Sequence, residues 1–379
     1  MNADEIQSTL HQLAAIPPGE APFVSLYLDM RTDATGTRPA MTFLKAALVR
    51  RARLFGPRGS ALESFQEDCA RIESYLAEEL DVAFQGVALF TCHARGFFQA
   101  VPLPLPPENR LTVAQAPRLY QLARMLDNYE TYCVVVLSRT RARIFTVVMG
   151  KIAEAAELTQ THYQVSKTRK GGWSQPTWQR GIELNIRRFA EEVVAALQSV
   201  CEQQQPAHLV LAGEKLALAE LERRLPWQVS EMVLTTARFD ADVPEHRVLA
   251  EILPVIETAE RQEEEDTVQE LESAAGEGEL ATIGAESTLV ALEQGQVDKL
   301  VLSNAFAARG WRCQSCLSYG VGGLPTQCPY CSGAILEADL HESMVEAAER
   351  SGATIEFVQD VPRLDELGGV GAFLRYPLT

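Results

Sequence analysis

Four cysteines dominate the chemistry legible in this 379-residue chain. Cys313-Gln-Ser-Cys316 and Cys328-Pro-Tyr-Cys331 are two CxxC pairs separated by eleven residues. A CxxC pair forms a tight knuckle that aims two thiolates at one point, and two such pairs supply the tetrahedral sulfur set that Zn²⁺ prefers. Gly320, Gly322, Gly323 and Gly333 give the intervening chain freedom to turn. A closed four-sulfur site leaves no open coordination position, so the expected cofactor is a structural Zn²⁺ rather than a catalytic one. Disulfides are the poorer alternative if the chain works in a reducing compartment. Cys69, Cys92, Cys133 and Cys201 are scattered in apolar or helical settings and read as buried spectators.

A second candidate is the stretch Lys167-Thr-Arg-Lys-Gly171-Gly172-Trp173-Ser174-Gln175. Adjacent glycines let a backbone approach a ligand closely. Lys167, Arg169 and Lys170 could hold phosphates, and Trp173 could stack on a base. Gln175 donates and accepts hydrogen bonds but does not titrate, so it can position a water and cannot act as a general base. A flexible basic loop without catalysis has the same composition, and at this stage both readings stand.

These residues are set in an acidic protein, with 51 Asp and Glu against 34 Lys and Arg and a formal net charge of −17. Such a balance excludes a surface coated with phosphate-binding groups. The charge is uneven, however. Lys167, Arg169, Lys170, Arg180, Arg187 and Arg188 are opposed between them only by Glu183, whereas Glu257 to Glu270 is strongly acidic. That asymmetry fits a small nucleic-acid contact on a body that otherwise repels nucleic acid; two ordinary solvated helix faces fit it as well. There is no apolar run long enough to span a membrane and no basic start followed by an apolar block, so a cytoplasmic address is expected. The chain lacks GxxxxGK[ST], HExxH and GxSxG patterns, and Gly368-Gly369-Val370-Gly371 precedes a strand rather than opening a helix.

The elements that must position these groups read as an α/β multidomain protein. An α+β N-terminal domain over 1–128 has a β-rich run at Phe23–Leu28, helices near 40–54 and 61–80, and strands at Gly86–Cys92 and Phe97–Leu103. Its proline-rich Pro102–Pro107 reads as an exposed connector. A mixed-sheet α/β middle domain over 129–274 opens with a hairpin, Tyr132–Leu137 and Arg143–Met149, and carries the GGWSQ loop. Its long helix over about 176–202 gathers Ile182, Ile186, Phe189, Val193, Leu197 and Val200 on one face, with Arg180 and Arg187 opposite. His208–Gly213 reads as a short buried strand, and Ser273–Glu279 as a linker. An α/β/α C-terminal domain over 275–379 follows, with a zinc-ribbon insert at 311–334.

The C-terminal segments Ser287–Leu302, Ala348–Val358 and Leu367–Tyr376 resemble the third domain of the archaeal and eukaryotic class-1 peptide chain release factors, whose exit carries a "GGIGxxLRY"-like sequence. Cys133–Leu158 resembles that family's middle-domain hairpin, Leu209–Gly213 its "LVLAG" strand, and Gly171, Gly172 and Gln175 match its GGQ loop with Trp173 and Ser174 inserted. Two extra extended residues shift the glutamine by up to about 7 Å. The resemblance implies a ribosome-binding factor whose loop contacts rRNA from the A site beside P-site tRNA, with a translational GTPase as a further partner. In the family the glutamine assists attack of water on the peptidyl-tRNA ester, so Gly171, Gly172 and Gln175 are the implied catalytic positions, and Lys167, Arg169, Lys170, Trp173, Arg180, Arg187 and Arg188 the RNA-binding ones. Where release factors carry an NIKS-like codon-reading motif, this chain reads Leu54-Phe-Gly-Pro-Arg-Gly-Ser60. The resemblance therefore lies closer to bacterial, Pelota- and Balon-like relatives active in ribosome rescue or hibernation than to a termination factor.

Overall fold

A computed structural model describes residues 3–56, 59–81, 84–127, 131–148, 151–160, 175–240, 243–278, 280–316 and 318–376. Residues 1–128 and 266–379 together form one compact unit, and residues 129–265 form another.

The first lobe of the larger unit runs α1 (Ala3–Ala14), β1 (Phe23–Asp29), α2 (Pro39–Ala52), α3 (Ser60–Glu78), β2 (Gly86–Cys92), β3 (Phe97–Leu103), β4 (Arg110–Ala114) and α4 (Tyr120–Asp127). The four strands pair antiparallel in the order β3-β2-β1-β4. Strand alternation divides β1 between two cores. Val24, Leu26 and Leu28 meet Leu44, Leu48, Phe65 and Ile72 of α2 and α3. Phe23 and Tyr27 face the other way, toward Ile6, Leu10 and Leu13 of α1 and Leu122 of α4. The proline-rich segment is not an exposed connector. Pro102 and Leu103 belong to β3, and Pro107 is buried. Because β3 is an edge strand, Pro102 needs no ladder N–H.

The second unit contains β5 (Thr131–Leu137), β6 (Arg141–Val148), β7 (Lys151–Thr159), α5 (Gln175–Gln204), β8 (His208–Gly213), α6 (Lys215–Glu222), α7 (Trp227–Ser230) and β9 (Val233–Arg238). Its mixed sheet has the order β7-β6-β5-β8-β9, antiparallel through β5 and parallel beyond it. Phe189, Val193, Leu197 and Val200 of α5 pack on Cys133, Val135, Leu209 and Leu211, as the helical spacing predicts. Ile182 lies where no side chain is described. On the opposite face Val248, Ile252 and Ile256 of α8 (Glu245–Glu277) meet Val134, Val136 and Val210. Helix α8 continues through Ser273–Glu277, so that segment is helical rather than a linker.

The second lobe of the larger unit comprises β10 (Ala281–Ile283), α9 (Ala285–Glu293), β11 (Val297–Ser303), β12 (Arg309–Cys313), β13 (Tyr319–Val321), β14 (Ile335–Asp339), α10 (Leu340–Ser351), β15 (Thr354–Val358), α11 (Pro362–Glu366) and β16 (Val370–Leu374). Its main sheet, β10-β16-β11-β15, is covered by α9 and α10 on one face and by Val268, Leu271 and Leu364 of α8 and α11 on the other. This is the α/β/α layering expected from the sequence. β13-β12-β14 form a small antiparallel sheet around the CxxC pairs.

Helix α10 joins the two lobes. Glu342, fully buried, accepts hydrogen bonds from the backbone N–H groups of Leu119 and Tyr120, the latter at 3.2 Å, and so caps α4 from the other lobe. About two turns along, Glu349 accepts from Gln7 Nε2 at 3.2 Å and lies 3.5 Å from His11 Nε2 of α1. At the far end of α4, Asp127 accepts from the N–H of Phe357 at 3.4 Å, and Tyr120 packs edge-on against His341 and Phe357.

Burial raises the Glu342 carboxyl above its ordinary range, against the opposing pull of Arg118 and the two N–H donors. The stability that this shift contributes is fully present below the unfolded carboxyl pKa and is lost as pH rises through the folded one. Glu342→Gln retains an acceptor without the charge, so it should leave stability at pH 8 equal or higher and flatten the fall between pH 5 and 8. Glu342→Ala strands two donors and should cost about 2–3 kcal/mol. Urea unfolding at both pH values measures each.

Candidate functional site

The cysteine module is built on β12. Cys313 is the last residue of that strand, and the chain turns back so that the N–H groups of Ser315 and Cys316 point at its Sγ, 3.3 and 3.5 Å away. The second knuckle closes through Cys328 N–H to Gly333 O at 3.0 Å and Ser332 N–H to Cys328 O at 2.9 Å. Cys313 and Cys331 sulfurs lie 3.4 Å apart and those of Cys316 and Cys328 3.6 Å apart, with all four within 4.8 Å of one another. These separations are far from the about 2.05 Å of a disulfide, and all four cysteines are free. Trp311 and Ile335 pack beside Cys313 and Cys328 as the module's own small core.

The glycines act differently from their sequence reading. Only Gly322 among the four takes a positive φ, at +88°. Gly333 is required by space: a Cβ there would lie 2.6 Å from Ser315 Oγ and 3.2 Å from Cys313 Sγ. Gly320 lies against the Trp311 indole, where a Cβ would sit 2.4 Å from the ring.

Hydrogen bonds within the cluster split the thiols, holding Cys313 and Cys316 down and pushing Cys331 up. The Cys316 N–H holds the Cys313 thiol below its ordinary value, and the Ser318 hydroxyl holds Cys316 down to about 6. Cys331 is pushed up to about 12 by its neighbours Cys316 and Cys313, although the Gly333 N–H favours its thiolate. Four thiolates this close need a cation between them. The group could hold a metal ion, and its donors are the chemistry of a soft four-sulfur site. The remaining cysteines are in cores: Cys92 and Cys133 are buried, Cys69 and Cys201 half-buried, and burial pushes the Cys69 thiol up to about 12.

In the second unit, Lys167, Arg169, Lys170, Gly171, Gly172 and Trp173 fall in residues 161–174, outside the described residues. The structure fixes both ends of that stretch. Gln160 donates from its backbone to Thr140 O at 2.9 Å and from Nε2 to Asn185 O of α5 at 3.1 Å. Gln175 is the first residue of α5, so the ten residues to Asn185 make about 15 Å of helix N-terminal to that tie. The side chains of Gln175 and Arg180 are not among those described. Arg187 and Arg188 are exposed; Arg187 is engaged by Glu191 at 3.3 Å, and Glu191 also lies 3.6 Å from Arg224. Of the predicted basic set, Arg187 therefore brings less free charge than its position implied. The residue that sequence reasoning missed is Gln160, whose only signal was its place at the end of an unrecognised strand.

An α/β/α lobe with a cysteine-knuckle insert and a mixed-sheet unit whose glycine stretch precedes a long helix define a class, and known proteins agree. Residues 117–257 match the model of bacterial archaeo-eukaryotic release factor family 10, and residues 261–378 that of eRF1 domain 3. Peptide chain release factor subunit 1 of Methanocaldococcus jannaschii is 25% identical over 295 residues, 69% of each chain. An uncharacterized protein of Mycobacterium tuberculosis is 24% identical over 377 residues, 95% of each. Among solved structures, Saccharomyces cerevisiae Dom34, a translation termination-like factor, shares 13% identity over 77% of this chain and 81% of its own, with a TM-score of 0.42. This protein belongs to the archaeal and eukaryotic release-factor-like superfamily.

Among the described residues no helix is long and apolar enough to cross a membrane.

Gly333→Ala should weaken metal binding at least about tenfold by displacing Ser315 and the Cys313 sulfur, the scale set by outer-shell changes at metal sites. Gly323→Ala, which meets open space, should leave it unchanged. Competition against a chromophoric chelator reads both.

Proposed function

We propose that this protein is a ribosome-binding translation factor that enters the A site in rescue or hibernation, its glycine stretch contacting rRNA near the peptidyl transferase centre. The observation that carries this reading is the match of residues 117–257 to a release-factor family, a span that contains the stretch from Lys167 to Arg188. Lys167, Arg169, Lys170, Arg180 and Arg188 supply phosphate contacts, and Trp173 a stacking face. About 15 Å of α5 lies between Gln175, which directly follows the stretch, and the Gln160 tie. Trp173 and Ser174 between Gly172 and Gln175 favour docking without hydrolysis.

A second reading rests on Gly171, Gly172 and Gln175 themselves. With the glycine backbone close to the peptidyl-tRNA ester and the Gln175 amide orienting a water, the same loop hydrolyses the ester and frees the peptide. P-site tRNA is then the substrate, and a translational GTPase is the delivery partner to seek.

The metal in this reading is a structural Zn²⁺ on Cys313, Cys316, Cys328 and Cys331. With Zn–S near 2.3 Å, a tetrahedron has sulfur–sulfur edges of about 3.8 Å, close to the 3.4 and 3.6 Å pairs. Such an ion would brace β12, β13 and β14, and its closed sulfur set assigns it no part in the chemistry.

Co-sedimentation with purified ribosomes tests docking, and release of labelled peptide from stalled ribosomes tests hydrolysis. Wild type should co-sediment without releasing peptide. Release that disappears in Gln175→Ala establishes the hydrolase instead, and failure to co-sediment under growth and stress conditions overturns both. Elemental analysis should give about one zinc per chain, and Cys316→Ser should abolish it.

A further inference from the structure

In a chain with 51 acidic residues, the segment between Asp33 and Glu63 carries none. It holds six basic residues: Arg38, Lys45, Arg50, Arg51, Arg53 and Arg58. Most of it is α2 and the turn after it, packed on the first lobe's sheet through Ala40, Leu44, Ala47 and Leu48. Thr42, Lys45, Ala46, Val49, Arg50 and Arg53 form the opposite, exposed side. Lys45 and Arg53, the residue that caps the helix, are eight residues apart, about 12 Å along the axis, and at 100° per residue Lys45, Arg50 and Arg53 fall within one arc of about 140° that also holds Thr42, Ala46 and Val49.

These cations sit in an acid-free segment, unlike the paired arginines of the rest of the molecule. Elsewhere arginines meet carboxylates, as in Arg71–Glu79, Arg139–Glu214, Arg141–Glu157, Arg143–Glu154 and Arg363–Glu272. Among the described residues Lys45, Arg50 and Arg53 take part in no ion pair, although the acidic helix α3 packs beside α2. Arg51 is half-buried and donates to Leu111 O at 3.3 Å. The helix macrodipole accounts for cations in the last turn of α2, but not for Lys45 in its middle or for the absence of acids on either side. Three long, unpaired side chains separated by small Thr42 and Ala46 leave the helix surface open to a ridge of negative charge.

From this we infer that the exposed face of α2, through Lys45, Arg50 and Arg53, is an RNA-docking surface that grips the phosphate backbone without reading bases. The choice of ribosomal RNA as its source rests on the ribosome-binding reading; the phosphate chemistry does not. A strongly acidic body is repelled by RNA unless the contacting patch is locally cationic. An anionic membrane is the weaker fit, because interfacial helices sink a continuous apolar stripe beside their cations, and the exposed bulky apolar groups here are Val49 and, beyond the helix end, Leu54. The surface lies on a different compact unit from the glycine stretch, so the protein would hold RNA at two separate places.

The test uses the full chain, the triple variant Lys45→Gln/Arg50→Gln/Arg53→Gln, and a control of equal charge change at exposed positions, Lys215→Gln/Arg238→Gln/Arg261→Gln. Ribosome co-sedimentation and anisotropy with a labelled ribosomal-RNA duplex are measured across a KCl series, with thermal unfolding confirming that each variant folds. The α2 variant should bind at least about tenfold more weakly near 0.1 M salt, with its log K against log salt slope shallower by about 2–3, one phosphate per side chain. The control should match wild type. Wild-type affinity and slope in the α2 variant would overturn the inference, as would a loss confined to phosphatidylserine vesicles. If wild type binds the duplex through α2 but does not co-sediment with ribosomes, the surface stands and the ribosome-binding reading falls.

Discussion

The larger unit depends on one buried carboxylate. Glu342 stands on α10, a helix buried on nearly every side, and its oxygen meets the two N–H groups that begin α4. Those donors would otherwise be orphaned inside the protein, and burying them unpaired costs more than a typical hydrogen bond contributes. The same segment is held from the sheet below, where Arg118 N–H donates to Ser25 Oγ at 2.9 Å and Tyr27 donates its hydroxyl to Arg118 O at 2.8 Å. One short stretch, residues 118–120, is thus clamped between a strand of one lobe and a helix of the other. Glu346, also on α10, lies 3.7 Å from Arg312 of β12, so the helix reaches the cysteine module as well. Three glutamates at positions 342, 346 and 349 give α10 three different attachments.

The cysteine module is accordingly braced from outside as well as from its own sulfurs. Tyr319 N–H donates to Glu293 of α9 at 2.6 Å, and the Arg312 guanidinium lies over the Tyr319 ring. Strand β14 runs directly into α10, with Asp339 ending one and Leu340 starting the other. A metal bound by the four sulfurs would fix the start of the helix that fastens the two lobes. Its role would be architectural at a distance from the knuckles themselves.

Much of this was legible in the residues. The β-rich, apolar runs Phe23–Leu28 and His208–Gly213 announce strands, the spacing of Phe189, Val193, Leu197 and Val200 announces the α5 face, and the paired CxxC spacing announces a convergent sulfur site. What escaped did so for physical reasons. Lys151–Thr159, rich in Ala and Glu, has the intrinsic preference of a helix, yet it pairs along the whole of β6 as an edge strand; tertiary pairing outweighs propensity. The short β4 and α4 carry too few residues for a period to show. Ser273–Glu277 has the composition of a linker but is carried along by the helix that precedes it. Carboxylates are rarely buried without partners, and nothing local reveals that Glu342 and Glu349 find theirs in backbone and side-chain groups over two hundred residues away. The glycine stretch could be located by residue type, whereas what it touches is not encoded in its own composition.

Because α1 and α4 of the first lobe pack against α10, the outer side of those two helices stays bare in the opening third of the polypeptide until the closing third has been made. During synthesis, the intervening unit, whose strands and helices are contiguous, can collapse while the earlier segment still waits with Tyr120 uncovered on its His341 and Phe357 side. Long-separation contacts of this kind slow folding and lengthen the exposure of sticky surface. A nascent chain of this protein would therefore be a natural client for chaperones until its last strands leave the exit tunnel.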